Sequence, residues 1–76
     1  MRTHNKNIAL VPFLAVPQFE IFRFQGKFWK RKPQTLNYAI CIQNKNIHQV
    51  IEENMVVAIP EKNIRKQDHH YIIKVI

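Results

Sequence analysis

Short runs of apolar residues alternate with polar turns along most of this chain. Within several runs the apolar side chains recur at every second position, which is the period of a β-strand with one buried face. No segment keeps the 3.6-residue period of an amphipathic helix over several turns. The pattern therefore predicts β-strands joined by tight turns, and it predicts no long helix.

The clearest strand pair spans residues 19–31, on either side of Gln25 and Gly26. Gly26 is the only glycine in the chain, and glycine readily adopts the positive φ that a two-residue turn requires. With Phe24 opposite Lys27, cross-strand neighbours share a face. The predicted core face of the hairpin carries Phe22, Phe24 and Trp29. The predicted opposite face carries Ile21, Arg23, Phe28 and Lys30. A one-residue slip in register would exchange the two faces.

Four further strands are predicted, at residues 36–43, 47–51, 55–59 and 71–76. In the first of these the larger apolar side chains alternate with smaller or more polar ones, as in a half-buried strand: Leu36, Tyr38, Ile40 and Ile42. The continuous apolar run 55–59 is typical of a strand covered on both faces. Pro60 ends this run, and the polar segment 60–70 has room for one or two helical turns that begin at this proline.

The amino-terminal segment differs from the rest because Pro12 and Pro17 interrupt its apolar run. Proline has no N–H to donate to a sheet, so a central strand is not expected here. We expect residues 1–17 to form an extended arm across the core, with at most a short edge pairing, and residues 18–76 to form a single small β domain. The apolar run is too short to span a bilayer and lacks a signal-peptidase site. A cytoplasmic protein, or one carried inside a particle, is therefore expected, without a membrane partner.

Together these elements predict an all-β fold, in the form of a small antiparallel SH3-like barrel or sandwich of five to six short strands with an extended amino-terminal arm. Hydrophobic residues make up 46% of the chain, which is enough for the chain to collapse rather than stay disordered. A domain of 76 residues buries a small core, so a partner surface or a homo-oligomer is a common source of added stability. The carboxy-terminal strand can pair within the domain, or it can add to a sheet of another chain.

The charge balance favours polyanionic partners. Twelve Lys and Arg against five Asp and Glu give a net charge of +7, which suits nucleic acid or an acidic protein surface. The hairpin candidates for binding are Arg23, Lys27, Phe28, Lys30, Arg31 and Lys32. A second basic group consists of Lys62, Arg65 and Lys66. The alternative interpretation is that both groups are ordinary solvated surface and that only Phe28 lies near the charges.

Catalytic and cofactor chemistry have few candidates. The chain has no serine and a single cysteine, so an intrachain disulfide and a multi-cysteine zinc site are excluded. Cys41 lies in an apolar run, where a small buried residue is expected. The adjacent histidines His69 and His70 point in opposite directions in an extended chain and chelate poorly. We therefore expect no enzyme activity, no metal and no cofactor.

The hairpin also resembles a known pattern. Phe22-x-Phe24-x-Gly26-Lys27-x-Trp29-x-Arg31, then Asn37-Tyr38-Ala39-Ile40 and Met55-Val56-Val57, is similar to small β-rich accessory proteins of tailed bacteriophages. The resemblance covers roughly residues 17–59 and departs at Tyr38, which falls between the expected Asn and Ala. It implies a small barrel with a phage accessory or structural role, in host cytoplasm or within a virion. It transfers no catalytic residue.

Three functions follow as hypotheses. The first is a phage-type accessory protein that docks on a larger protein assembly through its arm and carboxy-terminal strand, with its basic face toward nucleic acid or an acidic surface. The second is a stand-alone nucleic-acid-binding protein. The third is a structural subunit of a virion or another large assembly.

Overall fold

The computed structural model describes residues 7–33 and 37–76, and over these residues it shows the all-β fold that the sequence predicts. Seven antiparallel strands form one open sheet in the order β5-β4-β3-β2-β6-β1-β7. The strands are β1 (Ile8–Pro12), β2 (Ile21–Phe24), β3 (Lys27–Arg31), β4 (Tyr38–Cys41), β5 (His48–Val50), β6 (Val56–Pro60) and β7 (Lys74–Val75). The sheet has more strands than the predicted five to six.

The β2–β3 hairpin has the predicted register. Phe24 pairs with Lys27 and Phe22 pairs with Trp29. Gln25 and Gly26 both have positive φ, of 53° and 76°, which is the signature of a type I′ turn. The side chains of Phe22, Phe24 and Trp29 are buried in the core, as predicted. The Trp29 Nε1–H also donates a 2.9 Å hydrogen bond to the Phe24 carbonyl.

Strand β1 corrects the prediction that residues 1–17 form an arm without a central strand. It lies between β6 and β7 and pairs with β6 along its whole length, from Ile8↔Pro60 to Pro12↔Val56. Pro12 is tolerated in this strand because the hydrogen bond toward β6 comes from the next residue. The Phe13 N–H donates to the carbonyl of Met55, which immediately precedes β6. Amides alternate in direction along a strand, so Pro12 N points away from β6. Residues 1–6 of the predicted arm lie outside the described residues.

On strand β4 the smaller residues of the alternating pattern, rather than the larger apolar ones, face the core. Ala39 and Cys41 are buried, whereas Tyr38 and Ile40 are only half-buried. The physical reason lies in β3, whose inward-facing Trp29 and Arg31 pair with Cys41 and Ala39. Two large side chains on one strand leave room only for small ones on the next. The predicted burial of Cys41 is confirmed, and Leu36 lies outside the described residues.

Strand β6 is buried on one face only, so the prediction of cover on both faces is wrong. Val57 and Ile59 point into the core, while Met55 and Val56 are exposed. On the other face of β6, Val56 is exposed and Ala58 and Pro60 are only half-buried. After Pro60 come two short 3₁₀ helices, Glu61–Asn63 and Lys66–Tyr71. These agree with the predicted helical turns in the segment 60–70.

The carboxy-terminal segment pairs within the domain, although over a shorter length than predicted. Only Lys74–Val75 forms strand β7, which pairs with Ala9 and Leu10 of β1. Tyr71 and Ile72, at the end of the 3₁₀ helix Lys66–Tyr71, pack against the buried cluster instead. That cluster is a single core assembled from the inner face of the sheet and from the segment after β1.

Candidate functional site

The sheet presents a second side to solvent, which we call the outer face. Cross-strand partners share a face, and the pairs Arg23↔Phe28, Ile21↔Lys30, Lys30↔Ile40, Ile40↔His48 and Tyr38↔Val50 trace it from β2 to β5. Its members are Ile21, Arg23, Phe28, Lys30, Tyr38, Ile40, His48 and Val50. The outer face of the hairpin thus has the predicted composition, and β4 and β5 extend it.

Aromatic rings stand at two places on the outer face. Phe28 on β3 is 47% exposed. The ring of Tyr38 on β4 lies parallel to that of His48 on β5, with centroids 5.8 Å apart and 11° between planes. In the β3–β4 register Tyr38 is level with Lys32. Four residues of strand therefore separate the two rings, or about 13 Å.

Tyr38 is not among the predicted site residues because the alternation within its strand does not show which face is buried. The neighbouring strand β3 could have shown it. Two large side chains of β3 point inward, and they leave room only for small inward side chains on β4. With Tyr38 placed outside, Phe28 is no longer the only ring near the charges.

Cations flank both rings. The Arg23 guanidinium carbon is 5.9 Å from the centroid of the Phe28 ring, within reach of a cation–π interaction. Lys30 is exposed between Phe28 and Tyr38 on the outer face, and Lys32 follows at the end of β3 with its side chain half-buried. Lys27 is exposed at the tip of the hairpin. Arg23, Lys27 and Lys30 are thus exposed on the hairpin, and their role in binding stays a prediction.

Arg31 is the exception, and its prediction as a binding residue is wrong. Its side chain is only 2% exposed, because Arg31 follows Trp29 by two positions and points into the core with it. The Nη1 group donates hydrogen bonds to the carbonyls of Phe13 and Val16, at 2.8 and 2.9 Å. The guanidinium carbon lies 4.2 Å from the Phe13 ring centroid. Arg31 therefore holds the segment after β1 and does not reach a partner.

Burial also shifts the pKa of Arg31. Desolvation lowers the pKa of the guanidinium, the Glu53 carboxylate opposes this by raising the pKa, and Arg65 lowers it further. Its Nε–H has no hydrogen-bond partner in the described chain. The alternation that placed Trp29 inside also placed Arg31 inside, so the sequence contained the signal for this assignment.

The second basic group is only partly free to bind. Lys62 and Lys66 are exposed, but Arg65 is paired with Asp68 through a 2.7 Å Nη2–Oδ2 contact and a 2.8 Å Nε–Oδ2 hydrogen bond. Asn63, which lies between members of this group in sequence, contacts the segment before β2, since its Nδ2 donates to Glu20 Oε2 at 2.9 Å. The backbone carbonyl of Glu20 accepts a 3.0 Å hydrogen bond from the Arg31 amide, so Glu20 lies opposite Arg31 across the hairpin while its carboxylate is bound by Asn63.

A cleft of about 690 Å³ opens next to these groups, where β2 and β6 diverge. The two strands share a single residue pair, Arg23↔Ala58. The walls of the cleft are mainly apolar, and its polar groups come from three of its lining residues: Glu20, Arg23 and Asn63. Its volume is that of a small-ligand site.

The described residues also bear on metal sites and membrane spans. Within residues 7–33 and 37–76 no group of three or more His, Cys, Asp and Glu side chains is placed to hold a metal ion. Over the same residues, no helix has the length and apolar character needed to cross a membrane.

No protein-family model, curated protein or solved structure matches this chain. The resemblance to tailed-phage accessory proteins therefore stays a prediction.

Proposed function

We propose that this protein binds single-stranded nucleic acid on the outer face of its sheet, as a non-enzymatic accessory protein of the phage type. One observation carries the proposal: Phe28 and Tyr38 lie on the same face, with Arg23, Lys30 and Lys32 around them. Proteins that bind single strands without strong sequence preference combine exposed rings with a basic track for phosphates.

The geometry suits an extended strand better than a duplex. Rings about 13 Å apart on a sheet can each stack on an unpaired base, and Lys30 between them is placed to meet the intervening phosphate. Bases inside a duplex are already stacked on each other and present no free face to these rings. The net charge of +7 supports the same kind of partner through long-range attraction.

Salt dependence tests this interface. Binding of a labelled oligothymidylate should weaken as salt rises, and the slope reports how many phosphates are neutralised, at about 0.7 per phosphate for single strands. We expect the double variant K30A/K32A to reduce the slope by about 1.4. Fluorescence anisotropy over a salt series measures it.

A matched control removes two positive charges elsewhere. Lys45 lies in the β4–β5 turn and Lys74 on the far edge strand β7, so K45A/K74A should change the slope much less. Equal slopes for K30A/K32A and the unaltered protein would show that the hairpin does not contact the nucleic acid.

Docking on a larger protein assembly is a second candidate, favoured by the apolar edge at β7. Ile73 and Ile76, on either side of this strand, are 60% and 70% exposed. An exposed sheet edge can take up a strand from another chain. Affinity capture from cell extract with and without nuclease separates the two candidates: a nuclease-resistant protein partner supports docking, and nuclease-sensitive capture supports nucleic-acid binding. A homo-oligomer formed without ligand, seen by size-exclusion chromatography, would favour a structural subunit.

A further inference from the structure

The cleft between β2 and β6 has one chemical character along its walls and another at its two ends. Its apolar walls include Ile8, Ile21, Ala58 and Pro60. Because β2 and β6 form only one residue pair, and because Pro60 has no N–H to extend the ladder, the strands do not close over it. The result is an open apolar slot on the outer face.

The polar ends of the slot differ in charge. At one end, Glu20 and Asn63 form the 2.9 Å hydrogen bond between their side chains. At the other end stands Arg23, beside the Phe28 ring. Glu20 immediately precedes β2 and Arg23 is the third residue of that strand, so an extended backbone places the two about 10 Å apart. The slot therefore offers a carboxylate and an amide at one end and a guanidinium at the other.

We propose that this slot binds a single guanine nucleotide of the bound strand, with the base toward Glu20 and Asn63 and its phosphate toward Arg23. The inference rests on the proposed function, because the slot adjoins Phe28 on the same outer face. A planar base fits between apolar walls, and a guanidinium is a suitable partner for a phosphate.

Guanine is selected by its hydrogen-bonding edge. Its Watson–Crick edge has two adjacent donors, N1–H and N2–H, which a carboxylate can accept together. The Asn63 Nδ2 group has two hydrogens and gives one to Glu20 Oε2. The second hydrogen is available for guanine O6. Together, the two side chains can therefore pair with the N1–H and N2–H donors and with the O6 acceptor.

The other bases complement this pair less well. Adenine and cytosine each offer one amino group beside a ring-nitrogen acceptor, and uracil and thymine offer one N–H between two carbonyl oxygens. Each of them would turn at least one lone pair toward the Glu20 carboxylate. A polar group that loses its water without gaining a partner is unfavourable, so these bases should bind less tightly in the slot.

The test compares oligothymidylates that carry one central guanine, adenine or cytosine. We expect the guanine oligonucleotide to bind about tenfold tighter than the other two, within the range of a bidentate contact to a base. The variant Glu20→Gln should abolish this preference while leaving affinity for plain oligothymidylate within about twofold. The glutamine side chain of this variant keeps an oxygen for Asn63, but its NH₂ group would face the guanine donors.

The control variant is Glu52→Gln, which removes an exposed carboxylate from the turn before β6 and should keep the guanine preference. Thermal unfolding of Glu20→Gln checks that the fold is retained. Equal affinity for all three oligonucleotides would overturn the guanine slot, while salt-dependent binding of oligothymidylate would still support the proposed function. Absence of binding to every oligonucleotide would overturn both.

Discussion

At the scale of single residues, Arg31 shows how a charged side chain can belong to the core. Two carbonyls and an aromatic ring surround its guanidinium, and these contacts compensate in part for the loss of water. The Phe13 carbonyl also accepts from the Val16 amide at 3.0 Å. The Val16 carbonyl is therefore the group that depends more on Arg31.

We expect Arg31→Met to lower the free energy of unfolding by about 2 kcal/mol, because a buried carbonyl would lose its charged donor. Chemical denaturation measures this change. The exposed neighbour provides the control, since Lys30→Met should stay within about 0.5 kcal/mol.

The same pair of variants separates stability from binding. Folded Arg31→Met should keep its affinity for oligothymidylate, because the side chain does not reach the outer face, whereas Lys30→Met should weaken binding. If Arg31→Met folds but binds oligothymidylate less tightly, Arg31 does contribute to the binding site.

At the scale of elements, the β2–β3 hairpin could be predicted most completely. Its turn, its register and both of its faces agree with the structure, because all three are set by neighbours within a few residues of sequence. One local feature remains unfavourable: Gln25 has a positive φ of 53°, a conformation that costs most non-glycine residues about 1 kcal/mol or more.

Gln25→Asn should therefore stabilise the domain by roughly 0.5–1 kcal/mol, since asparagine tolerates this conformation and Asn-Gly is the preferred type I′ pair. The measurement is again chemical denaturation. Because Gln25 is exposed at the turn, the replacement loses little packing. A reversal of sign would mean that the Gln25 side chain makes a contact that matters for stability.

Strands β1 and β4 show the limit of local patterns. Alternation identifies β4 as a strand, but both Tyr38 and Ala39 are compatible with either side. The choice was made by Trp29 and Arg31 on the neighbouring strand. For β1, two prolines argued against an inner strand, and only the direction in which Pro12 N points made the pairing with β6 possible.

At the scale of the whole molecule, the strands of the sheet are paired over very different lengths. Strands β1 and β6 pair over five residues each, whereas β7 contributes only Lys74–Val75 at one edge and β5 only three residues at the other. Local opening is expected where few buried contacts hold a strand.

Hydrogen exchange should be slowest at the amides of the longest strand pair and faster at the edge strand β7. The amides of Val11 and Ile59, whose side chains are fully buried on the paired strands β1 and β6, should exchange most slowly. The Ile73 and Ile76 amides, which bind β1 carbonyls from the edge, should exchange much faster. Exchange followed by NMR provides the comparison, and equal protection at both places would show that β7 opens only with the whole domain.

The residues of the candidate site differ in how well the sequence alone predicts them. Arg23, Phe28 and Lys30 could be assigned to one surface from the hairpin alone, since their spacing is local. Tyr38, His48 and the cleft could not, because they depend on which strands become neighbours and on where β2 and β6 separate. Arg65 looked like a free cation in the sequence, yet its charge is neutralised by Asp68 one helical turn away.

The sequence by itself determined that this protein is built from strands, where its tightest turn lies and which hairpin rings are buried, because alternation and glycine act over a few residues. The tertiary structure decided that residues 8–12 form an inner strand and that Tyr38 points outward. Those outcomes depend on the volume and hydrogen-bonding direction of strands distant in sequence, which no local pattern contains.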